Sequence, residues 1–143
     1  MHLRSTIALT ALALVIAACA PSTSPPAASP VDSAAAGPRP SSSATLTVVS
    51  PTDGQSVAGP TVHVVISITG GTVVAATTVA IRPDEGHIHL YVDNNLVSMN
   101  YGSTLDQPVP AGTHVLRAEF VAADHVPFNP RVVTPDVVFT VTP

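Results

Sequence analysis

The 143-residue chain contains no lysine, no tryptophan and a single cysteine, and only 10% of its residues are charged. Its positive charges are all arginines, and its formal net charge is −4. The sequence therefore predicts no nucleic-acid partner, because binding to a phosphate backbone requires clustered lysines or arginines. With one cysteine, the chain cannot form an internal disulfide.

Aromatic residues are also scarce, with three Phe and two Tyr, so a folded core must consist mainly of Val, Leu, Ile and Ala. The second half of the chain is rich in valine, and its apolar residues alternate with polar ones. Alternation with a period of two is typical of strands that have one face on a core. These features predict an all-β domain rather than a disordered chain.

The first 18 residues have the pattern of a secretory signal peptide. His2 and Arg4 form a short positive region, and the run from Ile7 to Ala18 is apolar except for Thr10. A run of about a dozen apolar residues is shorter than the roughly 20 that a membrane-spanning helix needs. We therefore interpret residues 1–18 as an export signal; the alternative is an anchor helix that is not cleaved.

The segment Ile16-Ala17-Ala18-Cys19 directly follows this apolar run. It resembles the lipobox of bacterial lipoproteins, in which an aliphatic residue and two small residues precede a modified cysteine. The resemblance implies that the Cys19 thiol receives a diacylglyceryl group and that cleavage leaves Cys19 as the first mature residue. Acyl chains such as palmitate would then anchor the protein to the bacterial cell membrane or outer membrane, with the domain on the extracytoplasmic side.

Residues 19–44 are predicted to form a disordered tether. Prolines are interspersed among small residues here, and no hydrophobic periodicity is present. Such a segment cannot bury enough apolar surface to offset the entropy cost of ordering. The folded domain is predicted to comprise residues 45–143.

About seven segments of this domain have a strand pattern, and turn signals separate them. The strand segments are residues 45–50, 62–69, 73–81, 87–93, 96–101, 113–121 and 137–141. Residues 102–112 and 122–135 contain several prolines and are predicted to be loops. The number, length and spacing of the strands predict a single antiparallel β-sandwich of immunoglobulin type.

Three segments also resemble bacterial immunoglobulin-like modules: SPTDG at residues 50–54, HLYVDNNLV at 89–97 and AGTHVLRA at 111–118. In those modules a Y-V-D-G-x-x-V hairpin precedes a G-x-H-x-L strand, whereas here Asn94-Asn95 replaces the glycine of the turn. The strand start Gly86-His87-Ile88-His89-Leu90 further resembles uncharacterised periplasmic domains that carry Gly-His-His-His-Leu at this point. Neither resemblance implies catalysis.

Two histidines lie on one face of the predicted strand 87–93. Ile88, Leu90 and Val92 alternate with His87 and His89, so the histidines are expected on the solvated face. Their Cα atoms would lie about 6.6 Å apart along the strand, which allows both side chains to bind one metal ion.

Further ligands depend on which strands are neighbours. If 87–93 and 113–121 are the antiparallel strands C and F of the sandwich, both histidines lie near Glu119, Asp124 and His125. Met99 is placed near the same face. Imidazole, carboxylate and thioether groups suit copper or zinc, so His87, His89, His125 and Asp124 are the candidate metal ligands. The alternative is that these histidines are solvated residues without a ligand.

The loop at 124–131 offers a second candidate site, because it presents Phe128 and Arg131 among prolines, a combination found in rigid recognition surfaces. The alternative is that Phe128 closes one end of the sandwich. No G-x-S-x-G, P-loop or H-E-x-x-H segment occurs, and no catalytic residue is predicted. We interpret the chain as a cell-envelope lipoprotein with a non-catalytic binding or display role toward an envelope protein partner. The alternative interpretation is a copper- or zinc-binding envelope protein.

Overall fold

A computed structural model describes residues 38–143, and this part of the chain is all-β. The predicted signal peptide, Cys19 and the tether up to residue 37 lie outside the described residues. Ten strands are formed: β1 (Thr45–Ser50), β2 (Ser56–Ala58), β3 (Thr61–Thr69), β4 (Thr72–Val73), β5 (Glu85–Val92), β6 (Asn95–Asn100), β7 (Thr104–Pro108), β8 (Gly112–Ala122), β9 (Pro127–Val133) and β10 (Val137–Thr142).

The strands form two sheets. The smaller sheet has the order β1-β3-β7 and is antiparallel throughout. The larger sheet has the order β2-β10-β8-β5-β4, with β6 also paired to β5 and β9 also paired to β8. Its pairings are antiparallel except for the short contacts β2–β10 and β4–β5, which are parallel. The predicted all-β, sandwich-like fold is confirmed, with ten strands in place of about seven.

The core lies between the two sheets. The smaller sheet contributes Val62, Val64 and Ile66, each at most 2% exposed, and the larger sheet contributes residues such as Leu90 and Phe120, which are fully buried. These are the apolar members of the alternating patterns, as expected for strands with one face on a core. At about 25 cal/mol per Å² of buried apolar surface, this layer is the main stabilising contribution to the fold.

Strands β5 and β8 form the centre of the larger sheet. They pair antiparallel over seven residues, from Gly86 opposite Ala122 to Val92 opposite Leu116. The predicted neighbourhood of the strands at 87–93 and 113–121 is therefore correct. Because directly opposed residues share a face of the sheet, His89 and Glu119 lie side by side on the face away from the core.

Three local predictions are wrong. The strand predicted at residues 73–81 is reduced to β4, and the following chain up to Asp84 has no regular structure. The predicted loops at 102–112 and 122–135 instead contain strands β7 and β9. Both of these strands are sheet edges, where a proline removes no ladder hydrogen bond, so their prolines did not exclude strand structure.

Residues before Thr45, the first residue of β1, already contact the folded domain. Ser42 donates from its hydroxyl group to Asp84 at 2.7 Å, and Ala44 is only 6% exposed within the core. Residues 39–44, which the sequence assigns to the tether, thus pack on the domain. Within residues 38–143 there is no helix long and apolar enough to cross a membrane.

Candidate functional site

His87 and His89 lie on β5 with their side chains on the face opposite the core residues Ile88 and Leu90. The prediction that this face is solvated is wrong: His87 is 0% exposed and His89 is 6% exposed. The chain after β4 runs beside the start of β5, where the Val74 amide donates to the Gly86 carbonyl at 2.9 Å. The two histidines are therefore covered by other parts of the chain.

His125 supplies much of this cover. Its ring centroid lies 4.3 Å from that of His87 and 5.4 Å from that of His89, and its plane is within 18° of the His89 plane. Tyr101, which follows β6, makes an edge-to-face contact with His87, with the ring centroids 4.8 Å apart. The fold thus assembles a cluster of three imidazoles from β5 and the β8–β9 turn, which we call the histidine cluster: His87, His89 and His125.

The β8–β9 turn holds His125 in place by backbone geometry. The His125 amide donates to the Ala122 carbonyl at 2.8 Å, and His125 has a φ of 63°, in the left-handed region where histidine is enriched among non-glycine residues. The Nε2 atom of its ring lies 3.0 Å from the Thr77 hydroxyl, and its Nδ1 atom lies 3.1 Å from Nε2 of His89. Both ring nitrogens of His125 are therefore directed to defined neighbours.

The His87 ring differs from the other two. Both of its nitrogens, Nδ1 and Nε2, are buried and lack a hydrogen-bond partner. The backbone carbonyls of Val74 and Ala76 lie near enough to the ring to raise the pKa of His87 as acceptors, although neither meets the distance and angle of a hydrogen bond. Leaving a buried polar group unpaired costs about 1–3 kcal/mol, so such groups in folded proteins call for an explanation.

Burial lowers the pKa of His87, and the nearby His125 lowers it further. The same two causes, in the same order, lower the pKa of His89, against a smaller opposing effect of Glu119. Both imidazoles are therefore neutral at neutral pH. A neutral imidazole retains one unprotonated nitrogen, which is the form that binds a metal ion.

A buried carboxylate lies beside the histidine cluster. Glu119 is 1% exposed and receives two hydrogen bonds from Arg131, from Nε at 2.6 Å and from an amino nitrogen at 2.5 Å. The Tyr91 hydroxyl donates to the same carboxylate at 3.2 Å. Arg131 thus neutralises a charge that would otherwise be costly to bury, and the Glu119 oxygens are directed to Arg131 and Tyr91.

Asp124 is held away from the cluster by a different arginine. The Arg39 guanidinium donates to both Asp124 oxygens, at 2.6 and 2.9 Å, and lowers the pKa of that carboxyl. Of the four candidate ligands, the structure brings together His87, His89 and His125 and engages Asp124 in this ion pair. Among residues 38–143, no group of three or more His, Cys, Asp or Glu side chains can hold a metal ion as the side chains stand.

Two donor atoms nevertheless lie at a ligand-like separation. Nitrogens bound to one zinc-sized ion at about 2.0–2.1 Å are about 2.8–3.4 Å apart for bond angles between 90° and the tetrahedral value. His89 Nε2 and His125 Nδ1 are 3.1 Å apart. The His87 ring, whose centroid lies 4.3 Å from that of His125, contributes two further nitrogens that have no hydrogen-bond partner.

The structure places the two residues of the second predicted site differently. Phe128 is 1% exposed, and its ring packs at 5.4 Å from that of Phe120 in the core, which agrees with the alternative given for it. Arg131 has an exposed side chain that is paired with Glu119. Sequence reasoning missed Arg39, Thr77 and Tyr101, since no local pattern connects them with the histidines.

No protein family, curated protein or solved structure compared with this chain matches it. The fold and the site therefore define the protein as an all-β, sandwich-like domain that carries a histidine cluster on the outer face of its larger sheet.

Proposed function

We propose that this protein is a lipid-anchored, non-catalytic binding protein of the bacterial cell envelope whose histidine cluster binds a copper or zinc ion. The observation that carries the proposal is the buried His87 ring, whose nitrogens are both unpartnered and which lies 4.3 Å from His125. A metal ion would satisfy one of these nitrogens. It would also replace the hydrogen bond between His89 and His125 by two metal–nitrogen bonds.

The surroundings favour a cation at this point. The buried Glu119 carboxylate and the Tyr91 hydroxyl lie on the same side of the sheet as His89, and the charge of Glu119 raises the pKa of His89. The Thr77 hydroxyl at Nε2 of His125 matches the outer hydrogen bond that orients ligating histidines and fixes their tautomer. With Nε2 protonated toward Thr77, the lone pair of Nδ1 is directed at His89.

Export and anchoring rest on the residues before the described domain. The apolar run ending at Ala18 and the lipobox-like segment before Cys19 support lipidation at that cysteine. In a bacterial host, we expect the wild-type chain to incorporate labelled palmitate and to fractionate with membranes. Cys19→Ser should abolish the label, and incorporation that survives this change would rule out lipidation at Cys19.

Calorimetric titration of the full chain with zinc and with copper(II) tests the metal site. Every protein in the titration carries Cys19→Ser, so that the thiol cannot bind the metal. We expect one-to-one binding that His125→Asn abolishes, since Asn tolerates the left-handed backbone at this position and keeps the turn intact. His63→Ala is the control, because His63 is exposed and pairs with Asp106 in the smaller sheet. Binding that His125→Asn leaves unchanged would rule out the cluster as the site.

A display role toward a protein partner is the second candidate function, and strand β6 is the observation that favours it. Among the described strands, β6 pairs with β5 alone. Its side chains include the exposed residues Leu96 (47%), Val97 (37%) and Met99 (52%). An exposed edge with apolar side chains is a surface to which an extended peptide can add as a further strand.

A further inference from the structure

The register between β5 and β6 brings a sulfur atom to the histidine cluster. Met99 is directly opposite His89 in the antiparallel pair, so the two side chains lie on the same face with Cβ atoms about 4.5–5.5 Å apart. Met99 is the only methionine, and the only sulfur-containing residue, in residues 38–143. Its three rotatable bonds let the thioether adapt to a nearby group.

Exposure places Met99 at the outer margin of the cluster. Its side chain is 52% exposed, whereas His87 and His89 beneath it are buried. The described surface beside it is apolar, since Leu96 and Val97 precede it on the same edge strand. Met99 is therefore a solvent-accessible neighbour of the buried His89 imidazole.

The ion pairs remove the competing oxygen ligands. Both carboxylate oxygens of Asp124 accept hydrogen bonds from Arg39, and both carboxylate oxygens of Glu119 accept hydrogen bonds from Arg131. With these carboxylates engaged, the soft donors beside the cluster are the imidazole nitrogens and the thioether sulfur of Met99. Thioether sulfur is a soft ligand that favours Cu(I), whereas carboxylate oxygen favours harder ions.

From this juxtaposition, we infer that Met99 is a ligand of the histidine cluster and makes the site selective for Cu(I) over zinc. The inference rests on the proposed metal-binding function and assigns its ligand. The arginines then have a role in selectivity as well as in stability, because they occupy the oxygens of both carboxylates.

The test compares Cu(I) and zinc binding in the full chain with Cys19→Ser, with and without Met99→Leu. Cu(I) affinity is measured without oxygen, with ascorbate as the reductant and a chromogenic Cu(I) chelator as the competitor. We expect Met99→Leu to weaken Cu(I) binding by about tenfold or more, which corresponds to about 1.4 kcal/mol, and to leave zinc affinity unchanged. Leucine keeps the apolar volume, and Leu96→Met serves as a matched control that leaves Met99 in place.

X-ray absorption at the copper edge detects sulfur atoms bound to the copper ion. It therefore distinguishes a ligand role of Met99 from a purely structural role, in which no sulfur would be bound. The Cu(I)-loaded protein should show a sulfur neighbour that Met99→Leu removes. Equal Cu(I) affinity in the two proteins, or no sulfur neighbour, would overturn the role of Met99 while metal binding by the histidines could stand. Binding of neither metal by the protein with Met99 present would instead overturn the proposed function itself.

Discussion

The Arg39 guanidinium donates to both carboxylate oxygens of Asp124, at 2.6 and 2.9 Å, across 85 residues of sequence. It also donates to the backbone carbonyls of Val126, at 2.7 Å, and Pro127, at 3.0 Å. One side chain from the beginning of the described chain therefore fixes the turn that carries His125. Whatever the histidine cluster binds, the position of His125 depends on Arg39, a residue that the sequence analysis assigned to the tether.

We expect Arg39→Ala to destabilise the domain by about 2 kcal/mol, because it removes charge-assisted hydrogen bonds to a partly buried carboxylate. It should also weaken metal binding, since the turn at His125 loses its anchor. Urea unfolding of the full chain measures the first effect. Arg82→Ala is the control: Arg82 is exposed and its amino nitrogen lies 3.9 Å from Glu85, so its loss should cost less than about 0.5 kcal/mol. Equal costs for the two substitutions would contradict the anchoring role.

The ion pair between Arg131 and Glu119 is buried on one side only, because Glu119 is buried and Arg131 is exposed. Arg131→Met keeps the aliphatic stem but leaves a carboxylate that is 1% exposed with Tyr91 as its remaining donor. Breaking a buried pair costs about 3–5 kcal/mol. The Arg131 side chain is itself 62% exposed, so water can partly solvate the Glu119 carboxylate once the guanidinium is gone. We therefore expect a smaller loss of unfolding free energy, about 2–3 kcal/mol, measured by urea unfolding.

The double variant separates the pair from general packing. In Arg131→Met with Glu119→Gln, no charge is left buried, so the combined cost should be smaller than the sum of the two single costs. Additive costs would show that the two residues do not interact. Arg117→Met is the matched control, because the Arg117–Asp136 pair is substantially exposed on both sides and should contribute less than about 1 kcal/mol.

Gly86 allows β5 and β8 to approach each other at the start of the histidine strand. A Cβ atom at this position would lie 1.8 Å from the Val121 carbonyl oxygen and 2.8 Å from its carbon, and both are backbone atoms that cannot rotate away. We expect Gly86→Ala to destabilise the domain by about 3 kcal/mol or more and to broaden the amide signals of β5 and β8 in NMR spectra. Gly102→Ala, where the nearest atom is 3.9 Å away, should have little effect. Comparable stability of the two variants would refute the close approach.

The alternating patterns predicted strands β3, β5 and β8, which carry much of the core, and the pairing of β5 with β8 followed from the predicted sandwich. The pattern of Val73–Ile81 was misleading, because β-branched residues fit both a strand and an extended covering segment. Strands β7 and β9 were missed because their prolines were interpreted as loop signals, although edge strands accept proline.

The candidate site was predictable only in part. Strand periodicity places His87 and His89 on the same face, and the C–F pairing places Glu119 beside them, as found. Periodicity cannot show what covers that face, so the burial of both histidines was not predicted. The engagement of Asp124 by Arg39 joins residues 85 apart in sequence, and no local pattern carries that information.

Outside the cluster, His114 is positioned between two acceptors. Its Nδ1 lies 2.7 Å from an Asp93 carboxylate oxygen, and its Nε2 lies 3.0 Å from the Pro110 carbonyl. Both nitrogens can donate only in the protonated ring, so the hydrogen bond to Asp93, followed by that to Pro110, raises the His114 pKa against the effect of burial. The same contact with His114, together with the Val115 amide, lowers the pKa of Asp93.

These shifts predict a pH-dependent stability. The raised pKa of His114 gives a contribution that is complete below the ordinary histidine value of about 6.5 and is lost as the pH rises through the folded-state pKa. The lowered pKa of Asp93 gives a contribution that is complete above about pH 4 and is lost at lower pH. The stability difference between wild type and His114→Gln should therefore be largest between about pH 4 and 6.5 and decrease toward pH 8. Taking the difference cancels the titration of the other histidines, and urea unfolding at several pH values measures it.

Asp93→Asn should remove most of this dependence, because Asn tolerates the positive φ of residue 93 and leaves His114 without its charged partner. A difference that stays constant from pH 5 to pH 8 would show that His114 is not protonated by this contact.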